Sequence, residues 1–313
     1  MGTSQRYFIE DMKAAAFLKV WTERLEAQGV RFRLGEELED FCRLAEGGYR
    51  LTLRPISGKA DPARYPALYE NASSVVFCLG GGSWEPTENP LRWPPIFTRK
   101  GVAFVPFTPA NVGYEVAWSE AFLREAEGKP LKNIVLKTAR GERKGEAVVT
   151  RYGLEGTPVY FTGRTGPAVL DLKPDLSEAQ VVERLGQVRE NLSPIRRVKK
   201  LLGLCPASFA LLFHGTPTAQ LADPDLRQLA RRIKAMPIEF GPPRPLEEAI
   251  SSAGGIAFTE VDENLQLRAW PGAFVAGEML DWEVPTGGFL IQGCVAQGYR
   301  VGQAVLGYLA GRG

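Results

Sequence analysis

The sequence predicts a mixed α/β fold: one α/β domain interrupted by an insert that is β-rich at first and then helical. Three observations predict it. Residues 75–79 (VVFCL) are continuously apolar and end in Gly80-Gly81-Gly82, the pattern of a parallel strand buried on both faces. Residues 176–235 carry four helical stretches in succession, closed by Pro237, Pro242, Pro243 and Pro245. Beyond them the chain returns to short buried strands and one long closing helix. The expected division is 1–108 for the first part of the α/β domain, 109–175 for the β-rich insert and 176–235 for the helical insert. Residues 236–249 make the return, and 250–313 form the second part of the domain.

The elements follow in order. Residues 10–28 read as a helix opened by Glu10 and Asp11 and stopped at Gly29, with Met12, Ala16, Val20 and Leu25 on one face. "GVRFRL" (29–34) alternates apolar and charged residues. With 38–44 and 49–53 it predicts a three-stranded antiparallel meander. A short helical stretch is expected at 63–71, then the strand at 75–79; Pro86, Pro90, Pro94 and Pro95 forbid a long helix after it. In the insert, 131–138 and 146–152 predict a hairpin around "ARGERKG", and 158–161 and 168–172 short strands. Ser177 suits an N-cap, and Ser193-Pro194 places proline at a helix start. "SSAGGIAFTEV" and "LQLRAWPGAFVAGE" read as strands around the turn "DEN", and 288–309 as the closing helix.

Composition excludes several functions. Net charge is +2, with Arg196-Arg197-Val198-Lys199-Lys200 as the one dense basic cluster, so no nucleic-acid partner is expected. The apolar runs fall far short of the roughly 18 residues that span a bilayer, so no membrane partner is expected. "MGTSQRYFIEDMK" has no apolar core of a secretory signal. Cys42, Cys78, Cys205 and Cys294 are widely spaced and read as reduced packing residues of a cytoplasmic protein. The single histidine, His214, rules out sites that need two. It lies at the end of an apolar helix before a glycine and reads as a helix-end residue.

Two glycine-marked strand ends carry the chemistry. Residues 273–276 form a short apolar strand, and Gly277 leaves its carboxyl end bare. Glu278 then offers a carboxylate to hydroxyl groups. Thr286-Gly287-Gly288-Phe289 opens the last helix, whose first N–H groups lack intrahelical partners and suit a carbonyl that gains negative charge. Gly293, Ala296, Gly298 and Gly302 keep that helix thin for packing on a sheet. Gly80-Gly81-Gly82 marks the second strand end, where α/β sheets place ligands.

The segments "EDMKAAAFLKVW", "FCLGGGSWEP", "PLKNI", "AGGIAFTEV", "GAFVAGEMLDWEVPTGGFLIQG" and "AQGYRVGQA" closely resemble the BaiN/RdsA-type family of NAD(P)/FAD-dependent oxidoreductases. The resemblance runs over essentially the whole chain. It implies a partial glutathione-reductase-like FAD-binding domain, interrupted by a β-barrel-like and helical insert. It implies bound FAD, NAD(P)H as electron donor and a small-molecule substrate. In its terms Gly80, Gly81 and Gly82 pass the FAD, and Gly277 and Glu278 meet its ribityl-pyrophosphate part. Asp281, Thr286, Gly287, Gly288 and Phe289 meet the isoalloxazine ring. No residue reads as a catalytic acid or base. The chain departs from the family in lacking a G-x-G-x-x-G turn between a strand and a helix. Three outcomes are open: a chain truncated before its pyrophosphate cradle, a homo-oligomer that closes the gap, or a non-catalytic binding protein on a decayed flavoprotein scaffold.

Overall fold

A computed structural model describes residues 13–56, 68–83, 92–187, 193–217, 221 and 225–311. In chain order the elements are α1 (Ala14–Ala27), β1 (Glu36–Arg43), β2 (Tyr49–Pro55), β3 (Leu68–Ala72), β4 (Val75–Phe77), α2 (Trp93–Thr98) and β5 (Phe104–Ala110). The insert contributes β6 (Tyr114–Glu115), α3 (Glu120–Ala126), β7 (Pro130–Thr138), β8 (Gly141–Val149), β9 (Gly153–Glu155), α4 (Thr157–Thr162) and β10 (Gly166–Asp171). It continues with α5 (Glu178–Gly186), α6 (Pro194–Leu201), α7 (Pro206–Gly215), α8 (Leu226–Lys234) and β11 (Met236–Phe240). The chain closes with β12 (Ser251–Ile256), β13 (Ala273–Val275) and α9 (Phe289–Ala310).

The apolar side chains form two cores. One gathers β6 to β11 with helices α3 to α8; Leu131, Ile134, Leu136, Leu154 and Leu170 are fully buried in it. The other joins parts of the chain more than 200 residues apart: Phe41, Tyr49, Phe77 and Phe97 pack with Trp270, Phe274, Met279 and Val301. An antiparallel sheet of order β11-β10-β7-β8-β9-β6 frames the insert. Its edges meet, because Gly241 N–H donates to the Glu115 carbonyl (2.8 Å) and Glu115 N–H to the Pro242 carbonyl (3.1 Å). The sheet therefore closes as a barrel and leaves no long free edge. Pro237 sits in β11, an end strand of that sheet, where its missing N–H is tolerated.

Local sequence chemistry explains most elements. Ser177 and Gln180 form a reciprocal capping box at α5, Asp225 caps α8, and Ser193 precedes Pro194 at the start of α6. β4 and β13 pair in parallel across one short ladder, Val75 beside Ala273, Val76 beside Phe274 and Phe77 beside Val275.

Several expectations are corrected. The helix begins at Ala14 within the described residues; the predicted start at Glu10 and Met12 lies outside them. No residue of α1 is buried, so its apolar face has no core beneath it among the described residues. Residues 30–34 are not a strand: Val30, Phe32 and Leu34 are exposed, and alternation without a partner strand makes no ladder. The third meander strand is instead β3, antiparallel to β2 from Leu68 to Ala72, within the stretch expected to be helical. Val76 is 42% exposed, so β4 is covered on one face and open on the other. Gly141 already begins β8, which leaves Ala139-Arg140 as the hairpin turn, because the charged residues 142–144 pair with β7. Residues 157–162 form α4, with proline in its first turn, and not a strand. Cys42 and Cys78 are exposed rather than packing residues, and all four cysteines are free.

One face of α9 lies open as well. Ile291, Val295, Gly298, Gly302, Leu306 and Leu309 recur at helical spacing, and all are exposed. A Cβ built at Gly298 or Gly302 would meet nothing within 4 Å, so these glycines do not serve packing on a sheet. The opposite face, with Val301, Ala304, Val305 and Tyr308, holds the helix to the second core. Among the described residues no helix is long and apolar enough to cross a membrane.

Candidate functional site

The two parallel strands end side by side. Ala276 N–H donates to the Phe77 carbonyl (3.0 Å), so the segments that leave β4 and β13 share one end of the sheet. Gly80 leaves β4 at φ +82°, and Gly277 leaves β13 at φ +82°, backbone that favours glycine in both places. Gly277 is gripped on both sides: its N–H donates to Gln297 Oε1 (2.7 Å), and its carbonyl accepts from Trp282 Nε1 (2.8 Å). Gln297 lies on α9, so the last helix is tied directly to the end of β13. Cys294 Sγ would stand 3.8 Å from a Cβ at Gly277, which sets the second turn of α9 against the same strand end.

The three consecutive glycines divide by role. A Cβ at Gly80 would enter open space. At Gly81 it would stand 2.4 Å from Ser252 Oγ and 2.7 Å from Glu278 Oε2. At Gly82 it would strike the Phe107 ring at 2.8 Å. Gly81 and Gly82 are therefore bare to admit this chain's own atoms, and of the three only Gly80 faces open space among the described residues. Ser252 Oγ also accepts from Gly82 N–H (2.8 Å), which anchors the glycine segment to β12.

Glu278 sits at this junction, beside Gly81 and near Cys294. Its carboxylate has no hydrogen bond or ion pair among the described residues, and burial pushes its pKa above the usual carboxylate range. Burial likewise raises the Cys294 thiol, with added repulsion from Glu278 and then Cys78. The Cys294 thiol is therefore not poised as a thiolate. Asp281 is held through its backbone, N–H to the Ile256 carbonyl at 2.9 Å. No hydrogen bond joins the Asp281 or Thr286 side chain to the other site residues among those described.

Gly287 (φ +119°) and Gly288 (φ +91°) open α9 without a side-chain cap, and a Cβ at Gly288 would meet nothing within 4 Å. Phe289 is 54% exposed beside them. The helix start is thus uncapped, left-handed at its N-cap and uncovered, with its N–H groups available. Further along, Gly293 is bare for an internal reason: its Cβ would meet the Trp282 ring at 2.4 Å.

The structure thus brings Gly80, Gly81, Gly82, Gly277 and Glu278 to one end of the parallel pair, with α9 packed against it. Sequence reasoning missed Ser252, Phe107, Trp282 and Gln297, which fix that arrangement. Only Trp282 and Gln297 had a signal, their nearness in sequence to the glycine-rich segment. His214 lies away from this site, partly exposed at the end of α7; its Nε2 is 3.1 Å from Glu125 Oε1.

The family profile described as the HI0933-like protein Rossmann domain matches residues 1–304. The chain belongs to the HI0933-like family. The HI0933-like chain is also similar to the 3-dehydro-bile acid delta(4,6)-reductase of Clostridium scindens, 23% identical over 93% of this chain and 73% of that protein.

Proposed function

We propose that the chain is an FAD-dependent oxidoreductase that takes electrons from NAD(P)H, with FAD between the β4 and β13 strand ends and the start of α9. One observation carries this reading. A half-buried carboxylate, Glu278, lies without a partner among the described residues, at a strand end beside open backbone at Gly80. A half-buried carboxylate that no protein group engages is free to accept hydrogen bonds from a ligand. Ribityl or ribose hydroxyls are such donors. Open backbone at Gly80 and at Gly288 leaves room for a group laid against it. Family membership and the reductase relative support the same chemistry.

FAD supplies the hydride chemistry when bound. The chain's residues bind and orient. Glu278 accepts hydrogen bonds from hydroxyl groups, and the uncapped N–H groups of α9 favour negative charge on a carbonyl edge. Asp281, Thr286, Gly287 and Phe289 border that edge. Titration of the full chain with FAD tests the reading: quenching of flavin fluorescence with saturation is expected, and a colourless protein that leaves flavin fluorescence unchanged refutes it.

A second reading, that the chain acts as a homo-oligomer without redox chemistry, is favoured by the open stripe of α9 and the uncovered face of α1. Light scattering across a concentration series tests it. A monomer with tightly bound flavin overturns it.

A further inference from the structure

A cleft of about 220 Å³ opens between the barrel and the loop that leads into α9. One wall comes from the insert: Tyr114 of β6, Arg140 of the β7–β8 turn, and Tyr160 and Phe161 of α4. The other is the loop Glu283-Val284-Pro285, which runs directly into Thr286-Gly287-Gly288. The cleft therefore adjoins the helix start that the flavoprotein reading assigns to the isoalloxazine ring.

Its walls are firmly held. Asn111, at φ +49°, donates through Nδ2 to the Val284 carbonyl (2.8 Å) and to Ser251 Oγ (2.7 Å), which ties the loop to the first residues of the insert. The Arg140 turn is pinned to α4: Arg140 N–H donates to Thr138 Oγ1 (3.1 Å), whose hydroxyl donates to the Thr162 carbonyl (2.5 Å). The Tyr114 ring lies against Phe240 (centroids 5.4 Å apart) and fills the space that a Cβ at Gly163 would take, 2.5 Å away.

The Asn111 amide is spent on those walls, but two polar groups of the cleft are not. Arg140 has no ion pair among the described residues. The Tyr114 hydroxyl has no hydrogen bond among them, although the ring is half-buried and feels the Arg140 charge. Phe161, one face of which the Arg143 guanidinium covers at 4.5 Å, and Pro109 and Pro285 supply the apolar walls. Glu283 puts a negative charge on the loop wall, which disfavours a second anionic group on anything bound there. A guanidinium beside a phenol, between apolar walls, is suited to a carboxylate on a flat hydrocarbon body. The volume is below the about 300–1,000 Å³ of most ligand pockets, which favours a body of one or two rings.

We propose that this cleft is the substrate site and that it takes flat, apolar organic monocarboxylates, with the carboxylate on the Arg140 guanidinium and the Tyr114 hydroxyl. The substrate role rests on the flavoprotein reading; the carboxylate site itself does not.

The test is calorimetric titration of the full chain with 2-naphthoate and with its neutral isostere 2-naphthamide, with an FAD titration in parallel. Naphthoate is expected to bind about tenfold or more tightly than naphthamide. Arg140→Gln, at an exposed turn, should abolish that preference, and Tyr114→Phe should weaken naphthoate by about threefold to tenfold. Unaltered melting temperatures show that both variants are folded. Equal affinity for the two probes, no binding of either, or a preference that survives Arg140→Gln overturns the proposal. Arg140-dependent binding in a chain that does not take FAD keeps the carboxylate site and removes its substrate role. FAD binding without the preference overturns the site and leaves the flavoprotein reading standing.

Discussion

Gly288 and Gly81 are both glycines of the candidate site, and substitution separates their reasons. Gly288 has φ +91° and nothing within 4 Å of the place a Cβ would occupy. Gly288→Trp therefore meets backbone strain alone, about 1–2 kcal/mol for one left-handed residue. At roughly 2–4 °C per kcal/mol the melting temperature falls by about 2–8 °C. Gly81 has no left-handed strain, but its Cβ would stand 2.4 Å from Ser252 Oγ, which holds Gly82 N–H at 2.8 Å. Gly81→Ala then loses that hydrogen bond, about 1 kcal/mol, and overpacks the junction by about 1–3 kcal/mol. Near 3 kcal/mol in all, it lowers the melting temperature by about 10 °C. Differential scanning calorimetry and flavin titration read both quantities. The indole of Gly288→Trp enters the space assigned to the cofactor, so this variant should stay folded and lose FAD. Wild-type FAD affinity in Gly288→Trp, or wild-type stability in Gly81→Ala, refutes the division of these glycines into ligand-facing and self-packing.

Glu278 predicts a pH dependence. Its carboxyl is raised by burial in the folded chain, so the stability it confers is present below the ordinary carboxylate pKa and is lost as pH rises through the raised value. Glu278→Gln should flatten the stability profile across that mildly acidic window, and FAD affinity should fall as pH drops through it in the wild type only. Lys234 Nζ stands 2.7 Å from Asp171 Oδ2 and donates to the carbonyls of Lys173 and Leu176. Lys234→Met strands a nearly buried carboxylate and should cost about 3–5 kcal/mol in denaturant unfolding; a loss under 1 kcal/mol would count against an intact buried pair. Gly293→Ala should displace the Trp282 indole from the Gly277 carbonyl. Its near-ultraviolet dichroism should change in the wild-type background and stay unchanged in a Trp282→Phe background.

Pattern-based reading succeeded where local chemistry decides structure. The capping residue Ser177, the proline starts and the helix over 289–310 rest on spacing and caps within a few residues. The parallel strand before Gly80 was legible in place and direction, but its apolar run predicted burial on both faces and only one is covered. Reading failed where pairing decides. Residues 30–34 alternate like a strand but have no partner among those described, while Leu68–Ala72, without strong alternation, is a strand because β2 offers it a ladder. Of the three glycines at 80–82, identical in sequence, only the packed structure shows which is bare toward solvent and which toward Ser252 and Phe107. Tyr114 and Arg140 lie 26 residues apart in sequence, and nothing in their spacing marks them as neighbours.

By itself the sequence determined the helix caps and proline starts, the closing helix, and the residue types at the two strand ends. Those depend on hydrophobic period and on backbone freedom, which neighbouring residues encode. Only the tertiary structure decided that the insert closes as a barrel, that Glu278 lies beside Gly81 from a segment nearly 200 residues away, and that a cleft separates Arg140 from Glu283. These depend on contacts between distant segments, and a pairing across such separations is fixed by the mutual burial of surfaces that no local pattern contains.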